Sequence, residues 1–173
     1  MTDTPDFEDE FTKPAATAHP EDIATRLMKL PELRFIRENE ISLGWLMREV
    51  SKVKGGKLEL GSVHDVKHMA QGGFKGLFFQ LLEAWLGFLP QFMIVLDREH
   101  WDAATPRVRE ALVYHELLHI RHEVDKFGAL RFDRDGNPVF GLVGHDVEAF
   151  NDEVARYGAW HDGIASFLGH AGG

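Results

Sequence analysis

The stretch VYHELLHIRH, Val113 to His122, sets two histidines four positions apart with a glutamate directly after the first. On a helix, side chains at i and i+4 share one face about 6 Å apart, so the imidazoles of His115 and His119 can converge on one metal ion. Glu116, rotated by about 100° from His115, does not share that ion but reaches a water on its open side. In that arrangement zinc brings the pKa of its water to about 7, and the glutamate acts as general base while the water attacks a carbonyl. The competing reading is three polar residues on the solvated stripe of an amphipathic helix. The flanks weigh against it: Leu112, Val113, Leu117, Leu118 and Ile120 surround the group, and polar side chains in so apolar a stretch need a partner.

A catalytic zinc takes three protein ligands. His122 stands about 10.5 Å along the helix axis from His115, at 1.5 Å per residue, too far to share an ion with it. The third ligand is therefore expected in GLVGHDVEAFNDEV, residues 141–154, after a hairpin that returns the chain. His145, a neutral imidazole at the expected start of the next helix, is the favoured candidate. Glu148, one turn on, is its rival and would make the set His-His-Glu, and Asp146 suits a helix N-cap. Tyr157, Arg156 and His161 can each donate to the oxyanion of a tetrahedral intermediate, with Tyr157 preferred. His64 and His68 also stand four apart, but with no glutamate after the first they read as surface histidines.

These side chains need elements to hold them. TPRVREALVYHELLHIRHEV opens with Thr105 as N-cap and Pro106 at the first helical position, predicting a helix of about five turns. Before it, QFMIVLD is a continuous apolar run suited to a central strand. Residues 74–88 predict a buried helix stopped by Pro90. Residues 41–63 predict a strand pair turning at Gly55 and Gly56. HPEDIATRLMKLPELRFI looks helical, with Pro31 ending or kinking it. LRFDRDGNPVFGLV predicts a hairpin around Asp135 to Pro138, and the last helix is expected to begin at His145 or Asp146 and to break or bend near Gly158.

The chain of 173 residues is 44% hydrophobic, enough for one domain with a sizeable core. It has no cysteine, which removes disulfides, thiolate metal sites and thiol nucleophiles and leaves histidine and carboxylates to ligate a metal. A net charge of −9 gives nucleic-acid binding no support. Residues 1–19 hold five acids against one lysine without an apolar period, predicting a disordered or loosely attached acidic arm before a domain at 20–173. With neither a targeting segment nor an apolar run long enough to span a membrane, a soluble cytoplasmic protein is expected.

YHELLHI followed after a hairpin by GHDVEAFNDEVARYG resembles the phage metallopeptidase family, zincin-like proteins of phages and prophages. More distantly it is similar to the SprT-like proteases, whose third histidine stands in an H-G-x-x-F element. Here His145 and Phe150 have a comparable setting, with Asp146 in place of the glycine and the phenylalanine one residue later. The resemblance covers roughly residues 41–165. It implies an α+β, zincin-like single domain, a small mixed sheet packed against an active-site helix and a C-terminal helix. It also implies zinc on His115, His119 and His145, Glu116 as general base, and a protein or peptide substrate. Two other classes keep the same residues: a zinc hydrolase of non-peptide amides or esters, and a non-catalytic interaction factor.

Overall fold

In the computed structural model, which describes residues 10–145 and 150–164, the elements run in order from β1 (Phe11–Thr12) through α1 (Pro20–Leu27), α2 (Arg34–Glu38) and β2 (Leu43–Arg48). A short hairpin, β3 (Val53–Lys54) and β4 (Lys57–Leu58), leads to β5 (Gly61–Asp65), α3 (Lys75–Leu86) and β6 (Phe92–Asp97). Then follow α4 (Arg98–Ala103), α5 (Pro106–Leu118), the pair β7 (Ile120–His122) and β8 (Phe140–Leu142), and α6 (Asn151–Tyr157). The result is mixed α+β, small sheets with several helices, consistent with a small single-domain zincin-like fold. No described helix is long and apolar enough to cross a membrane.

Every residue of β6 is buried, which is possible only for a strand with neighbours on both edges and cover on both faces. β2 pairs with it in parallel, Leu43 opposite Phe92, and β5 pairs antiparallel on the other side, Gly61 opposite Leu96. The sheet order is β1-β2-β6-β5. Because successive side chains point to opposite faces, Phe92, Ile94 and Leu96 join the core formed with α1, α2 and α5, whereas Met93 and Val95 meet α3. β5 thus forms an edge of the sheet.

Thr105 caps α5, its Oγ1 accepting from the Val108 amide, with Pro106 at the first helical position. From Ala111 to Leu118 every residue is buried, so the helix carrying the HELLH residues lies inside the protein.

Several expectations are corrected. β2 and β5 do not pair with each other: both flank β6, and the Gly55–Gly56 turn joins only the two-residue strands β3 and β4. The run of β6, apolar on both faces, competes better for each of them than they do for one another. Helix α3 is buried on one face alone: Leu82 is buried and Phe78, Phe79 and Leu86 partly so, while Leu77, Leu81 and Trp85 remain exposed. α5 stops at Leu118, short of five turns, because Ile120 to His122 pair with Phe140 to Leu142. The last helix starts at Asn151 rather than at His145 or Asp146, and Gly158, at φ 64°, follows its end. Phe11 and Thr12, within the acidic segment, pair with Met47 and Arg48 at the sheet edge.

Ile94 is at the centre of this arrangement and fully buried. Ile94→Ala should lower the free energy of unfolding by about 2–5 kcal/mol in urea titrations; a loss below about 1 kcal/mol would contradict the burial of β6.

Candidate metal centre

His119 sits at the C-cap of α5 with helical backbone angles, φ −67° and ψ −24°. The i, i+4 relation to His115 therefore survives although the helix ends there. The chain then turns into β7 and returns through β8, and the return is fastened to His119 twice. The amide of Val143 donates to the His119 carbonyl at 2.8 Å, and Nδ1 of His119 donates to the Val143 carbonyl at 2.7 Å. Two residues beyond Val143, the Nε2 atom of His145 lies 2.8 Å from Nε2 of His115 and 3.1 Å from Nε2 of His119.

Three imidazole nitrogens this close suit a shared cation. Tetrahedral ligands at about 2.0–2.1 Å from zinc stand roughly 3.3 Å apart, close to the separations here. Among the described residues these three histidines are a group whose ligating atoms all lie within 4.8 Å of one another. The donor chemistry fits as well. Both α5 histidines use Nδ1 for an acceptor, Glu153 Oε2 at 2.6 Å from His115 and the Val143 carbonyl for His119, which leaves each Nε2 lone pair for a metal. Burial, the largest influence, pushes His119 down to about 4, so its imidazole is neutral and competent to ligate. For His115, burial also disfavours the charged ring, but the Glu153 hydrogen bond and the charges of Glu116 and Glu153 outweigh it and the pKa is raised.

Glu153 is the residue that sequence reasoning missed. It is completely buried, accepts from the Phe150 amide at 3.2 Å and from the Trp160 indole, and faces His115. Its burial favours the neutral acid, but the hydrogen bonds from His115, Trp160 and Phe150 hold its pKa below the usual value. The signal was present, an acid at the third position of a helix whose N-cap is Phe150, but it is invisible when the helix is taken to start at His145.

Glu116 is 1% exposed, and its Oε2 has no hydrogen-bond partner among the described residues. Burial, reinforced by the charges of Glu153 and Glu59 and opposed by His115, pushes it up to about 7. Its carboxylate rests against β5, where a Cβ at Gly61 would lie 2.5 Å from Oε1; the glycine is what admits the carboxylate. Glu116 and the three histidines line a cleft of about 1390 Å³, with Gly61 to Val63 on one wall and His100, Val108 and His161 among the others.

Tyr157 is not brought to this cleft. Its hydroxyl donates to Glu110 at 2.8 Å and accepts from Arg156, its ring packs on Tyr114, and burial with the Glu110 contact pushes its pKa to about 12. His161, considered beside it in the sequence, does line the cleft. His122 lies on β7, bonded to the Arg131 carbonyl, and stays apart from the cluster because the chain leaves the helix rather than because of axial distance along it. His68 is exposed and His64 bonds Ser62. Asp146 and Glu148 fall outside the described residues.

A histidine pair from the end of a buried helix and a third histidine from the returning hairpin form a group that could hold a metal ion, with a buried glutamate beside them. The chain belongs to the family described as "Putative phage metallopeptidase", whose model matches residues 15–168. No curated protein and no solved structure matches it.

Replacing Glu153 by alanine should weaken metal binding about 10–100-fold, as removal of a ligand's hydrogen-bond acceptor does. Competition with a chromogenic chelator measures this, and unchanged affinity would deny Glu153 that role.

Proposed function

We propose that this protein is a zinc-dependent peptidase in which His115, His119 and His145 hold the ion and Glu116 is the general base. The observation that carries the reading is the carboxylate of Glu116, buried beside three convergent Nε2 atoms, its Oε2 without a hydrogen-bond partner among the described residues and 3.9 Å from Nε2 of His119. Bound there, zinc would supply Lewis acidity to a water and to a substrate carbonyl. Glu116 would accept the proton of the attacking water at Oε2 and deliver it to the nitrogen of the leaving amine as the C–N bond breaks. Glu153 holds the His115 ring in place through Nδ1, and Val143 does the same for His119. β5 is an edge strand whose Gly61, Ser62 and Val63 line the cleft. An extended peptide laid along it would continue the sheet, which supports a protein or peptide substrate over a small amide or ester.

The test begins with the protein purified without added metal. Wild type should carry about one zinc per chain and hydrolyse protein or peptide substrates. His115→Ala should lose the metal, whereas Glu116→Gln should keep it and lose at least ~100-fold in kcat. A Glu116→Gln variant as active as wild type would overturn the mechanism.

The oxyanion donor in this reading is His161 rather than Tyr157. The Gly163 amide donates to Nδ1 of His161 at 3.1 Å, so Nε2 carries the proton of the neutral ring. Loss of that donor in His161→Ala should reduce kcat by about 10²–10³ with little change in KM. A comparable loss in Tyr157→Phe with none in His161→Ala would return the role to the tyrosine.

A further inference from the structure

Helix α3 has two apolar faces, and the sheet covers one of them. Phe78, Phe79, Leu82 and Leu86 pack with Leu46, Val66, Met93 and Val95. On the outer side Leu77, Leu81 and Trp85 recur every four residues. Phe74 stands one turn before them and Phe88 just beyond Gly87, the glycine at the end of the helix. Phe74 is 79% exposed, Leu81 60%, and Leu77, Trp85 and Phe88 between 41% and 49%. The stripe leaves on the order of 600 Å² of apolar surface uncovered, at the upper limit of the largest patch on ordinary monomers and approaching the ~800 Å² per partner of a standard interface.

The pattern of the stripe says what fits it. Counted from Leu81, Leu77 and Trp85 stand four residues away on either side, and Phe74 and Phe88 stand seven. Such a stripe is complementary to itself under a two-fold axis. In an antiparallel pair, Leu81 meets Leu81 and Leu77 meets Trp85 of the second copy, a contact that helices crossing at about 20° keep along α3, while Phe74, before the helix, and Phe88, beyond Gly87, come to the same end of the pair. The charges of the helix, Lys75 and Glu83, lie off the stripe, so the apolar face presents nothing for a charged partner to match. The chain's own first nine residues, MTDTPDFED, hold four acids and few apolar side chains, the wrong composition to cover it.

We propose that two copies of this chain form a homodimer through antiparallel pairing of their α3 stripes about Leu81. Because α3 and α5 cover opposite faces of the sheet, the metal centre of each copy stays outside the interface.

The full chain, examined by sedimentation equilibrium, should show twice its 19.6 kDa mass. Leu81→Glu sets two carboxylates face to face on the axis and should weaken association at least ~100-fold. An unchanged circular dichroism spectrum and bound-metal content would show that the variant is folded. Since the chain has no cysteine of its own, register is read directly. Leu81→Cys alone should form a disulfide-linked dimer on mild oxidation. Phe74→Cys alone should not, and Phe74→Cys with Phe88→Cys should. A wild-type monomer at about 20 µM would overturn the proposal. So would a dimer indifferent to Leu81→Glu, cross-linking through Phe74→Cys alone, or dimerisation only after removal of residues 1–9. A monomer that instead sediments with phosphatidylserine vesicles would assign the face to a lipid surface.

Discussion

A buried hydrogen bond between a histidine and a glutamate organises this protein. Glu153 has no exposure and His115 very little, and an ionised carboxylate so placed is tolerable only if its lone pairs are satisfied. They are, by His115, by the Phe150 amide and by the Trp160 indole. Satisfying that one group fixes where α6 begins, how Phe150 and Trp160 close over the histidines, and which nitrogen of His115 faces the cleft. The α6 region is thus held by the chemistry of the site as much as by its own apolar side chains.

The other half of the centre is held by backbone. His119 uses both its carbonyl and its ring to grip Val143, so the hairpin is clamped at its base and His145 emerges two residues later within 3.1 Å of both α5 histidines. The general-base candidate rests on a different support, the bare backbone of Gly61 on the sheet edge. Three elements therefore meet at one turn of α5. Each contributes what it does cheaply: a helix its i, i+4 spacing, a hairpin its return, a strand its flat unobstructed face.

What the sequence disclosed follows from this division. The relation of His115 to His119 is local, set by helical geometry, and the N-cap at Thr105 with Pro106 is a local signal too; both were legible. The run FMIVLD was legible as a central strand because burial on both faces leaves no polar alternation. Strand partners were not legible, because whether β2 pairs with β5 or with β6 depends on competition between distant segments. The exposure of α3 was hidden for a related reason: an apolar helix reads as buried until the face without a neighbour is known. Glu153 escaped because its role depends on a helix start shifted by the docking of α6, and Tyr157 looked suitable only until Glu110 was seen to occupy its hydroxyl.

The clamp at Val143 also separates two parts of the hairpin. Beyond the β7–β8 register, residues 123–139 form turns stabilised locally, Asp125 accepting from the Phe127 and Ala129 amides and Asp133 from those of Asp135 and Asn137. Exposed Phe127 and Leu130 mark this as the outer end. Chain length there is decoupled from the position of His145, because the base of the hairpin and not its tip sets where the histidine falls. The tip is accordingly a permissive point for grafting, where an affinity peptide or a fluorescent reporter can be spliced in with the three histidines left in register.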